Sequence, residues 1–129
     1  MDDLTITSSL DGTSVSFHVT RRNGEEVAFD VNVQCGSYAG SVSSTTYLYT
    51  SPCVMFEAMA AEWNGWKGAK VWEDINHNLV LSGTSDMTGH VNLRMTLNDP
   101  NGAAQLKVAL PLYAGELEGI AQGMANLFS

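Results

Sequence analysis

The chain has 129 residues, 44% hydrophobic and 16% charged, a composition that suits one α+β domain spanning 1–129 around one core. With 14 acidic and six basic side chains its net charge is −8, which repels nucleic acid and anionic lipid and disfavours both as partners. The same charge attracts a basic protein, although acidity that only maintains solubility is the competing reading.

A first strand is expected near Leu4–Ser9. The dipeptides Asp11-Gly12 and Asn23-Gly24 favour the positive φ angles of tight hairpin turns. Between them Val15, Phe17 and Val19 alternate with Ser16, His18 and Thr20. Beyond the second turn Val27, Phe29, Val31 and Val33 alternate with Ala28, Asp30, Asn32 and Gln34. Period-two alternation means strands with one buried and one wet face. A fourth strand near Ser41–Tyr49 completes a meander.

The period changes at "SPCVMFEAMAAEWNGW". Ser51 is suited to cap a helix, and Pro52 to its first position, where the missing N–H is not needed. Met55, Phe56, Met59, Ala60 and Trp63 fall on one helical stripe, so Trp63 is expected in the core. Asn64-Gly65 supplies the stop.

The second half follows the same plan. "AKVWED" and "NLVLSG" flank the turn "INHN". Val91, Leu93, Met95 and Leu97 alternate with His90, Asn92, Arg94 and Thr96. After "DPNG", Leu106, Val108, Leu110 and Leu112 form another inward row. "AGELEGIAQGMANLFS" puts Leu117, Ile120, Ala121, Met124, Leu127 and Phe128 on one stripe. The reading is an antiparallel twisted sheet in ββββα-ββββα order, with two amphipathic helices packed on its apolar face.

Catalytic signatures are missing. There is no HExxH, CxxC, calcium loop, GxSxG elbow or phosphate loop, so no catalytic residue, metal or cofactor is expected. Cys35 and Cys53 read as reduced, buried thiols. A His18/Asp30 pair could meet across adjacent strands, though such pairs are commoner as plain surface charges. Gly115, Gly119 and Gly123 make a smooth helix back able to admit a second subunit, or simply an exposed helix. No apolar run nears the ~20 residues of a membrane span. The acidic "MDDLTITSS" has neither the basic nor the apolar part of a signal peptide, so a cytoplasmic location is expected. Trp66 and Trp72 are the aromatic anchors the sequence offers for a protein interface, with core burial the competing reading for each.

"FEAMAAEWNGWKGAKVWED", "LVLSGTSDMTGHVNLRMTL" and "LPLYAGELEGIAQGM" together resemble a family of small, uncharacterised bacterial proteins. That family carries a W-x-G-W-x-G helix end, a D-x-x-G-H-V strand and a terminal helix after G-x-L. The resemblance spans roughly residues 52–125 and rests on Trp63, Gly65, Trp66, Asp86, Gly89, His90 and Gly115. It implies an immunity protein of a toxin–immunity system: acidic, cytoplasmic and non-catalytic. The expected role is a protein-binding module that occludes a basic toxin. Its contact surface is then either the wet sheet face (His18, Asp30, Asn32, His90, Asn92, Arg94) or the Trp66/Trp72 region. The alternatives are a small-ligand-binding or enzymatic α+β domain, and a homo-oligomeric accessory protein, such as a homodimer.

Overall fold

The computed structural model describes residues 2–129. Among these, eight strands and two α-helices follow the expected ββββα-ββββα order. The first half comprises β1 (Asp3–Thr7), β2 (Ser14–Asn23), β3 (Glu26–Cys35), β4 (Tyr38–Thr45) and α1 (Cys53–Ala61). The second comprises β5 (Ala69–Glu73), β6 (Leu79–Ser85), β7 (His90–Asn98), β8 (Gln105–Tyr113) and α2 (Leu117–Leu127), with a 3₁₀ turn at Ala114–Glu116 before the last helix. The strands form two antiparallel four-stranded sheets, β1-β2-β3-β4 and β5-β6-β7-β8, each a simple meander.

The alternating rows point inward as their period requires. Val15, Phe17, Val27, Phe29, Val31 and Val33 from the first sheet are buried, as are Leu79, Leu81, Leu93, Met95, Leu110 and Leu112 from the second. Met55, Phe56 and Met59 of α1 and Leu117, Met124 and Leu127 of α2 complete the same cluster. Full burial of each such side chain stabilises by about 1.5–3 kcal/mol. Phe29 joins the sheets. Its ring lies 6.2 Å from Trp72 of β5 and meets Phe128 edge-on at 5.1 Å.

Close approaches seat the helices. At Gly83 on β6 a Cβ would stand 2.4 Å from the Met59 sulfur, so the missing side chain lets α1 lie on the second sheet. At Gly123 a Cβ would touch Leu4 at 3.0 Å, so that member of the glycine series is occupied within the chain by β1. Gly115 and Gly119 face open space. Pro52 rather than Ser51 stands at the N-cap of α1, and the Ser51 hydroxyl just before it accepts from the Cys53 N–H at 3.0 Å. Arg22 donates to the carbonyls of Leu127 (2.8 Å) and Ser129 (3.0 Å), placing a cation at the negative end of α2.

One buried acid binds the two sheets. Asp74, fully enclosed after β5, accepts from the Ser44 hydroxyl of β4 and from the Asn78 N–H at 2.8 Å. Without those donors a buried carboxylate would be costly. The thiols differ. Cys53 is buried, and Cys35 is only half-buried at the end of β3. Burial, then the Glu57 carboxylate to which its thiol donates at 2.9 Å, pushes the Cys53 thiol up to about 12. It is held as an unreactive thiol.

Candidate functional site

One surface cleft is built where three segments meet. Helix α1 ends at Ala61, with Glu62 as its C-cap. Gly65 then donates to the Glu62 carbonyl at 2.8 Å and takes φ 125, a left-handed-side conformation that favours glycine. A Cβ at Gly65 would also stand 2.5 Å from the sulfur of Met87, so the two loops touch at this residue. Trp63 lies in the turn beyond the helix and has left the helical stripe. Its indole is 63% exposed, which overturns the expected core position.

The second segment is the β6–β7 turn. Asp86 organises it, accepting from the N–H of Thr88 (2.8 Å) and of His90 (3.1 Å), with its other oxygen 3.1 Å from His90 Nδ1. The bonds from Thr88, first through its backbone and then its side chain, draw the Asp86 pKa from 3.8 down to about 2. A depressed folded value means that this carboxylate stabilises the turn fully above pH 3.8 and ceases to do so as pH falls through about 2. The Thr88 and His90 amide resonances should therefore titrate with a midpoint near 2, and Asp86→Asn should abolish that titration in an NMR pH series.

The third segment is the entry to α2. Ala114 donates to the Gly89 carbonyl at 2.8 Å, and the Tyr113 N–H donates to Glu116 Oε2 at 2.8 Å. Cross-strand pairing sets Tyr113 beside His90, with ring centroids 5.4 Å apart. Trp63, Asn64, Thr88, Gly89, His90, Tyr113, Ala114 and Gly115 then enclose an open cleft of about 550 Å³. Tyr113, 44% exposed, lines this cleft with Trp63, and Met87, 57% exposed, lies on the loop against Gly65.

The family described as "Family of unknown function (DUF6228)" matches residues 6–129. The chain belongs to the DUF6228 family. No curated protein sequence matches it. A solved structure described as "Crystal structures of trypanosoma bruciei MRP1/MRP2" is similar at 12% identity and a TM-score of 0.49, covering 97% of this chain and 81% of that one.

In this DUF6228 chain the residues singled out from sequence scatter. Trp66 and Trp72 are 6% and 5% exposed, so neither is a surface anchor. The Trp66 indole N–H donates to the Gly83 carbonyl at 3.1 Å, and that of Trp72 to the Thr50 carbonyl at 2.6 Å, which lets both rings sit inside with their polar atoms satisfied. His18, Asp30 and Asn32 belong to the first sheet, whereas His90, Asn92 and Arg94 belong to the second, so they form no single hydrogen-bonded face. His18 and Asp30 are cross-strand neighbours, but His18 bonds to Asp3 and Asp30 accepts from Ser43 at 2.7 Å. The pair fails because each side chain has a nearer partner on its other flank.

Of those six polar residues only His90 lines the Trp63 cleft. The cleft's own Trp63 and Tyr113 are not among the anchors that sequence reasoning finds. The missed signal is the helix stop itself: a cap at Glu62 releases every later residue from the stripe. Among the described residues no group of three His, Cys, Asp or Glu side chains is arranged to hold a metal ion. No helix among them is long and apolar enough to cross a membrane.

Proposed function

We propose that this protein is a non-catalytic protein-binding module, an immunity protein that neutralises a basic toxin by occluding it. The observation that carries the proposal is the exposed Trp63, which shares one cleft with the exposed Tyr113, with the exposed Met87 on the loop that meets Gly65. Aromatic residues of this kind supply most of the binding energy in protein interfaces. The net charge of −8 adds electrostatic attraction for a basic partner and speeds its approach. The W-x-G-W-x-G and D-x-x-G-H-V stretches, which carry the sequence resemblance to immunity proteins, both border this cleft.

The Asp86–His90 pair gives less support to an enzymatic reading. Both side chains are about half exposed, at 50% and 52%, and the carboxylate is spent on the backbone of its own turn. The proposal is tested by co-expressing the chain with each neighbouring gene product of its host. One product that is toxic alone should become tolerated, in a complex whose affinity falls as salt rises. Failure to protect against any of them would contradict it.

A further inference from the structure

The surface beside Trp63 has a chemical bias that names what enters it. Trp63 stands between two adjacent hollows that share Ala114 and Gly115 as a floor. Tyr113 and His90 close one hollow, and Glu118 lines the other. Neither is lined by a lysine or arginine, and among the described residues no ion pair engages Glu118. The second hollow thus joins an exposed indole to an unneutralised carboxylate, the components that hold a cation over an aromatic face.

The chain contains a completed version three residues away. Lys70 lies 5.6 Å over the Trp66 ring and ion-pairs with Glu62 at 3.0 Å. Trp63 with Glu118 presents the same aromatic and acidic parts with no cation supplied from within. We infer that the hollow between Trp63 and Glu118, on the other side of the indole from the cleft, is a socket for a basic side chain, an arginine in the first instance, projecting from the protein partner. This deepens the protein-binding reading above and rests on it. Arginine fits better than lysine because its planar guanidinium stacks on the indole while its N–H groups reach a carboxylate. Gly115 acquires a reason here. It has an ordinary negative-side backbone and open space above it, so any side chain at this position would rise into the socket.

The test is an NMR titration of the full chain with N-acetyl-arginine methylamide, beside its neutral isostere N-acetyl-citrulline methylamide. Arginine should shift the Trp63 indole N–H and the Gly115 amide, binding at least about tenfold more tightly than citrulline, the equivalent of about 1.4 kcal/mol. Gly115→Leu should abolish these shifts by filling the socket. Glu118→Gln, a change on the exposed face of α2, should weaken arginine binding and leave citrulline unaffected. Equal binding of the two compounds would overturn the inference, as would arginine shifts that persist unchanged in both variants. If arginine fails here while Trp63→Ala still weakens a protein complex, the socket is wrong and the protein-binding reading stands. If arginine binds here and no toxin is neutralised, the socket stands and the immunity reading falls.

Discussion

Trp66→Ala should lower the unfolding free energy by about 3–5 kcal/mol, the usual cost of emptying a large aromatic site in a packed core. The ring is 6% exposed, donates to the Gly83 carbonyl, and lies beneath Lys70. Truncation therefore opens a cavity next to the α1–β6 contact and leaves a carbonyl without its donor. Urea denaturation gives the value directly, and an unchanged slope would show that the loss belongs to the folded state. Trp63→Ala, three residues earlier, should change stability by no more than about 0.5 kcal/mol, because its indole is already largely in water. A large loss at Trp63 or a negligible one at Trp66 would reverse the inside-to-outside assignment of the two rings.

The buried rows were legible because a two-residue period leaves little freedom in which side chain faces the core. Val15 to Val19, Val27 to Val33 and Val91 to Leu97 all point where alternation sends them. The division into two sheets was not legible. Periodicity identifies a buried face but not which strands share hydrogen bonds, and here α1 separates β4 from β5 so that the meanders never pair. β4 also begins and ends earlier than expected, at Tyr38 and Thr45. The overlooked signal is Gly36-Ser37, a two-residue loop with glycine first at φ 58. The connection from β4 to α1 holds Leu48 at φ 61, a conformation that nothing in a leucine advertises.

The site was legible in its parts and obscure in its assembly. The stop at Asn64-Gly65 is visible in the sequence, but extending the α1 stripe up to it places Trp63 in the core. Ending the helix at its cap, Glu62, puts Trp63 outside. Asp86 stands in the D-x-x-G-H-V motif that the sequence displays, and its carboxylate binds the N–H groups of Thr88 and His90. That His90 would meet Tyr113, and Gly65 meet Met87, depends on strand register and on a loop contact between the two halves, which no local pattern encodes.

On the proposed function, Trp63→Ala should weaken a toxin complex by at least about 2 kcal/mol, roughly thirtyfold in Kd, as expected for a central aromatic anchor. Removing this indole strips one wall of the cleft and one wall of the socket together, while the fold loses little. Polar residues on the open sheet faces provide the contrast. His18 is held by Asp3 on the first sheet, and Arg94 projects from the second opposite Ser82 and Ala109. Neither borders the cleft. The decisive measurement is the dissociation constant of that complex for the wild-type chain and for Trp63→Ala, His18→Ala and Arg94→Ala at one salt concentration. A large loss confined to Trp63→Ala is the predicted result. A Kd unchanged by Trp63→Ala, together with losses at His18 or Arg94, would place the interface on a sheet face and contradict the account.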